Sequence, residues 1–244
     1  LTDATSPREL ALAMARSYRV DAYEFNDKPG TISVANITKV QDLVDKTSTL
    51  AGLLKSDMSG LHSVISGINS DVQRFDSNGD IQITPEDEIV DVYHFAQLVQ
   101  ARISDPTIQQ AAGDVVSAVD SYVVGESEYD LAWSGGFSYE GTQYTWDLDS
   151  SRGVSILFTD YSRSFYKDGW FDFAAGTVWD IESSALGESG VDESSATIEW
   201  GPMLVEYVRE TNPDIPDNPD PPALVAPLSR LTSVYLPMVL RGVQ

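Results

Sequence analysis

Apolar side chains return every third or fourth position over most of residues 38–122, and that period commits the first half of the chain to helices. Val40, Leu43, Val44, Leu50, Leu54, Met58, Leu61, Val64, Ile65 and Ile68 predict one long amphipathic helix over about 38–75. Gly52, Gly60 and Gly67 interrupt it, each at a cost of about 1 kcal/mol relative to Ala. A break near 57–60 is therefore expected. Ile89, Val92, Tyr93, Ala96 and Val99 mark the inward face of a second helix ending near Ile103. Asp105-Pro106 opens a third, carrying Ile108, Ala111, Ala112, Val115, Val119 and Tyr122 and ending by Gly125. At the front, Ser6, Pro7 and Glu9 spell an N-cap, a first-turn proline and a capping box. Leu10, Met14, Ala15 and Tyr18 follow at helical spacing.

Strand signals are shorter. Residues 31–37 (TISVANI) are β-branched and alternating, and 153–158 (GVSILF) form an apolar run suited to a buried strand. Between them, Tyr129, Trp133, Phe137, Tyr139, Tyr144 and Trp146 lie among glycines, as in short strands or an aromatic loop. A helix is expected over about 171–186, with Phe173, Val178 and Ile181 on one face, and 197–208 reads as a strand or a short helix. Residues 212–222 (NPDIPDNPDPP) can form neither helix nor central strand, so they predict a stiff linker. The division expected is a mixed α/β, helix-rich region over 1–200, a connecting segment over 201–211, the linker at 212–222 and an apolar tail at 223–244.

Charge and missing residue types exclude several functions. The 244 residues hold 38 acidic and 15 basic side chains, a net charge of -23, which repels phosphate backbones and argues against nucleic-acid binding. Cysteine is absent, so there is no disulfide, thiolate metal site or cysteine nucleophile. The only histidines are His62 and His94, each expected to be an ordinary helix-face residue. No apolar run approaches the ~20 residues of a transmembrane helix. With Leu1 in first place and no signal peptide in view, a processed piece of a longer product is expected.

The most specific local pattern runs from Asp76 to Glu88. Asp76, Asn78 and Asp80 stand at positions one, three and five of a calcium loop, the Gln82 carbonyl at seven, Ile83 at the apolar eighth, and Asp87, beside Glu88, at twelve. Two departures oppose calcium. Position six, normally Gly with positive φ, is Ile81, which would cost about 1–2 kcal/mol there. Position twelve carries Asp, one methylene shorter than Glu. The competing reading is an Asx-rich turn that caps the next helix through Thr84-Pro85. Asp147 and Asp149 would share a strand face, where a solvated edge is favoured over a catalytic carboxylate pair. Asn36-Ile37-Thr38 is a glycosylation sequon, a pattern common by chance. Nucleophile-elbow, zinc-protease, P-loop and dinucleotide motifs are all missing.

Three stretches together resemble the region downstream of the catalytic cysteine in clostripain-like cysteine peptidases, relatives of the caspase and gingipain fold. They are the opening helix with Arg16-Ser17-Tyr18, followed by Thr31-Ile32-Ser33-Val34 and the long helix; Asp91-Val92-Tyr93-His94-Phe95-Ala96; and Arg152-Gly153-Val154-Ser155-Ile156-Leu157-Phe158 with Tyr161, Phe173-Ala174-Ala175 and Thr177-Val178-Trp179. The resemblance spans about residues 5–185. Leu157 replaces a usual aromatic, Thr159 a usual Pro, and the Asp76 loop looks like an insertion. It implies part of a caspase-like α/β/α sandwich, in a family that cleaves after Arg or Lys with a His/Cys dyad and is activated by calcium. Neither dyad motif is present, so only scaffold carries over: 153–158 as a sheet strand and Trp179 as a packing anchor. The chain is thus similar to the non-catalytic C-terminal chain of a secreted peptidase, inactive alone, whose partner is the N-terminal catalytic chain of the same precursor.

The end of the tail, 234–241 (VYLPMVLR), resembles endings of exported proteins of filamentous green bacteria, which implies an extracellular or cell-surface location. An apolar strand behind a Pro-rich spacer also suits donation to a neighbour. The alternative expectation is therefore an inert extracellular subunit that self-assembles with copies of itself through 228–244. A calcium-binding adhesion module is a third.

Overall fold

A computed structural model describes residues 6–19, 29–77, 80–124, 132–158 and 199–211. Among them are six helices: α1 (Pro7–Arg19), α2 (Val40–Ser56), α3 (Met58–Asp71), α4 (Val92–Arg102), α5 (Pro106–Tyr122) and α6 (Trp200–Arg209). Seven short strands accompany them: β1 (Gly30–Thr31), β2 (Arg74–Phe75), β3 (Ile89–Asp91), β4 (Ala132–Trp133), β5 (Gly135–Tyr139), β6 (Thr142–Trp146) and β7 (Ser155–Leu157). The chain is helix-rich α/β. The expected helix 171–186 with Trp179, the linker 212–222 and the tail 223–244 lie outside the described residues.

Local chemistry sets the helix ends. Ser6 and Glu9 close the capping box at α1: the Ser6 N–H donates to Glu9 Oε2 at 2.7 Å and the Glu9 N–H to Ser6 Oγ at 3.2 Å. Those bonds, first the one from the Ser6 backbone, hold the Glu9 carboxyl below its ordinary pKa. Its buried side is Ala11, Leu12 and Ala15, whereas Leu10, Met14 and Tyr18 face outward. The expected long helix is two, α2 and α3, divided at Asp57, whose φ of -131° and ψ of 34° are not helical. Gly60 suits the break because a Cβ there would meet Asp57 Oδ1 at 2.7 Å. Asp105 caps α5 by accepting from the Thr107 N–H at 2.7 Å and the Ile108 N–H at 3.1 Å.

Several boundaries differ from expectation. Residues 31–37 yield only the end of β1, a bridge from Ala35 to Val123 and a 3-10 turn beginning at Ile37. Asn36 accounts for that ending: its Oδ1 accepts from the Thr38 N–H, a local bond that competes with strand pairing. The long-helix pattern overran its end because Arg74–Phe75 leave the helix to pair with β3, and Ile89–Asp91, expected in a helix, form β3 itself. Most of the 201–211 segment is helical, within α6. As α6 it buries Trp200, Met203, Leu204 and Val208, and packs against α2 and α3.

The core lies where α5 packs on α2 and α4, and α6 closes over α2. Leu50, Leu54, Ile65, Ile68, Phe95, Val99, Val115, Val119, Met203 and Leu204 meet there. One edge is covered by the antiparallel sheet β2-β3-β7. Val90 of β3 opposes Ile156 of β7, and both are buried. The other described sheets have two strands each, β1-β4 and the hairpin β5-β6.

Candidate functional site

β3 ends in a carboxylate that accepts four hydrogen bonds. Asp91 is fully buried. Its Oδ1 accepts from the His94 N–H at 3.0 Å, which makes it the N-cap of α4. Its Oδ2 accepts from the Arg152 N–H at 2.8 Å, the Gly153 N–H at 3.1 Å and Ser151 Oγ at 3.2 Å. Burial pushes the Asp91 carboxyl above its ordinary pKa, against these four donors, which pull it down. The turn it holds requires glycine: Gly153 has φ +73°, and a Cβ there would lie 3.1 Å from Ser33 Cβ. The next residues enter β7 opposite β3, and the Arg152 guanidinium stacks 5.0 Å from the centre of the Tyr93 ring.

Behind this junction stands an aromatic cluster. Phe95 packs on Phe158 with ring centres 5.4 Å apart, and Trp200 meets Phe95 edge-on at 5.3 Å. The Trp200 indole N–H donates to the Leu157 carbonyl at 2.8 Å, which binds α6 to β7. Tyr207 contacts Phe158 at 5.2 Å and stacks on His62 at 5.0 Å, so His62 is a packing residue. His94 is also structural: its Nδ1 accepts the Gln73 N–H at 2.9 Å. Burial, and then Arg102, lower its pKa, so the neutral ring that this bond needs is favoured.

Residues 76–88 connect β2 to β3. Ile81, at the position where a calcium loop wants glycine, has φ +71°. Its N–H donates to Asp76 Oδ2 at 3.1 Å, and its carbonyl accepts from the Trp146 indole at 2.9 Å. Asp80 Oδ1 takes the Gln82 N–H at 2.8 Å. Asp87 is fully buried and works as a staple: Oδ1 accepts the Ser77 N–H at 2.7 Å and Oδ2 the Thr84 N–H at 2.8 Å. Glu88 is buried with its N–H on Ser77 Oγ. Ile81 thus has the positive φ of position six in a calcium loop, while the carboxylates of Asp76, Asp80 and Asp87 each accept from a backbone N–H. Among the described residues, no group of three His, Cys, Asp or Glu side chains is placed to hold a metal ion. Asn78 lies outside them.

Buried Arg74 went unnoticed in the sequence. Its guanidinium donates to the Asp87 carbonyl, the Asn69 carbonyl and, at 2.6 Å, Asn69 Oδ1, which ties the loop to the end of α3. A basic residue beside Phe75, just ahead of a carboxylate-rich loop, was the available signal. Asp147 and Asp149 converge on one hydroxyl. Both accept from Ser134 Oγ in the turn after β6, and Asp147 also takes the Asp149 N–H at 3.2 Å. Comparison with protein-family models, with curated proteins and with solved structures finds no match to this chain.

Proposed function

We propose that this chain is the non-catalytic C-terminal part of a secreted clostripain-like cysteine endopeptidase. In this reading it completes a caspase-type α/β/α sandwich around a His/Cys chain that cleaves after basic residues. One observation carries it. Asp91-Val92-Tyr93-His94-Phe95-Ala96 and 152–158, two of the stretches that together suggested the lineage, meet as one unit: the Asp91 carboxylate holds the Arg152 and Gly153 N–H groups, β3 pairs with β7, and Phe95 packs on Phe158. Two stretches 60 residues apart in sequence serve one junction, as a scaffold motif requires. Calcium, if it acts here, would be held by Asp76, Asn78, Asp80, the Gln82 carbonyl and Asp87 or Glu88, and would lock the loop against β2 and β3.

The test is the coding sequence that precedes Leu1 in the same reading frame. A His and a Cys there, and co-purification of the two chains with thiol-dependent cleavage after Arg or Lys, are expected. This chain alone should hydrolyse none of those substrates. Cleavage by this chain alone, or an upstream sequence without cysteine, would overturn the reading.

A second reading is an inert extracellular subunit built from copies of this chain. The described sheets favour it: they are small and antiparallel, and so need no parallel sheet from another chain. Particles larger than a monomer, formed by the purified chain alone, would select it.

A further inference from the structure

Among the described residues, the β5-β6 hairpin leaves its edge unpaired. It is closed by Glu140 and Gly141, both with positive φ, 48° and 82°, the geometry of a two-residue type I′ turn. In such a hairpin Tyr139 and Thr142 form the first hydrogen-bonded pair, and bonded pairs then alternate. The N–H and C=O groups of Gln143 and Thr145 therefore point away from β5. Among the described residues no third strand pairs there. Natural edges are usually blunted by lysine, proline or a bulge. Here GGFSYEGTQYTW carries one charge, at the turn. One face bears Phe137, Tyr139, Tyr144 and Trp146, with Phe137 buried between Tyr144 at 5.7 Å and Trp146 at 5.2 Å. Tyr139 stays 43% exposed. Glu140 stands at one end of β6, and Asp147 and Asp149 at the other.

We propose that this edge accepts an added strand, and that the strand is residues 231–236 (LTSVYL) of a second copy. Three features select that segment. Residues 221–244 hold two arginines and no acidic side chain, in a chain of net charge -23, so they complement the acidic ends of β6. The six residues lie between Arg230 and Pro237, where proline ends pairing. Extended at ~3.3 Å per residue they span about 20 Å, against about 17 Å for the five residues of β6. Alternation places Val234 and Leu236 on the aromatic face in one register, with Thr232 beside them.

A second copy is favoured over the same chain by the spacer. Described structure reaches Thr211, and the eleven residues 212–222 follow. Eleven extended residues at ~3.1 Å each can reach at most about 34 Å. That reach is about twice the ~16 Å radius of gyration of a ~200-residue body, long enough to bridge to a neighbouring copy. The inference rests on the hairpin and the tail, not on the peptidase lineage.

The experiment uses the full chain, a form lacking residues 228–244, Thr145→Pro and Thr145→Lys. Proline at 145 removes an outward N–H and leaves the β5 pairing intact; lysine blunts the edge and repels the tail arginines. Light scattering should show the full chain growing beyond 26.7 kDa with concentration, and all three variants should remain monomeric with unchanged far-UV circular dichroism. A synthetic peptide of residues 228–244 should bind the truncated form and lose binding when Thr145→Pro is added to it. A full chain that is monomeric throughout, or assembly and peptide binding that survive both Thr145 variants, would overturn the proposal. If Thr145→Pro alone disturbs the circular dichroism, Thr145→Lys and the peptide titration decide.

Discussion

Replacing Asp91 by alanine should cost more stability than replacing most other polar residues among those described. The lost N-cap of α4 costs about 1 kcal/mol. The Arg152 and Gly153 N–H groups and the Ser151 hydroxyl lose their acceptor in a buried site, at roughly 1–3 kcal/mol for each group left unsatisfied. Two effects reduce that sum. Gly153 N–H keeps a bond to Ser151 Oγ at 3.1 Å. The folded protein also no longer bears the burial of the Asp91 carboxylate, which raises its pKa. A net loss of about 3–5 kcal/mol follows, a large fraction of the ~5–15 kcal/mol typical of a folded domain. Asp91→Asn keeps the size but turns an amide NH₂ towards donors, and should lose about half as much. Urea unfolding followed by tryptophan fluorescence measures both. With a slope of ~3 kcal/mol per molar, Asp91→Ala should lower the midpoint by about 1–1.7 M. A shift below ~0.3 M would show that the 151–153 turn is held without Asp91, and would refute the reasoning.

Three further outcomes are expected. His94 has a lowered pKa when folded, so the unfolded chain takes up more protons as pH falls through 6.5. Stability should therefore fall as pH drops from 7 towards 5, and His94→Asn, which keeps an acceptor for Gln73, should flatten that part of the profile; an unchanged slope would assign it to other groups. Ile81→Gly removes about 1–2 kcal/mol of left-handed strain, so it should be no less stable than the parent despite losing a side chain. It should also take up calcium more tightly by calorimetric titration, and no heat from either protein at millimolar calcium would remove the site. Trp200→Ala should cost about 3–5 kcal/mol, from the cavity and the lost bond to Leu157, and lower Tm by roughly 8 °C or more; a fall under ~3 °C would show α6 to be peripheral.

What the sequence determined by itself is the local architecture. The 3.6-residue period and the caps at Ser6, Asp91 and Asp105 act within one or two turns of chain, so α1, α4 and α5, and the division between α2 and α3, follow from neighbouring residues. The buried strand within 153–158 was legible for the same reason, whereas the aromatic stretch read only as short strands or a loop. Contacts between distant segments decided the rest. Residues 74–75 and 89–91 carry helix-compatible patterns, yet they pair with each other and with β7, because backbone groups beside a packed core must find partners wherever the chain brings them. Only tertiary structure showed that Asp87 staples its own loop instead of facing outward, that Arg74 sits beneath it, and that α6 enters the core through Trp200. A side chain's type and spacing set what it can bond, while the fold alone sets which partner arrives.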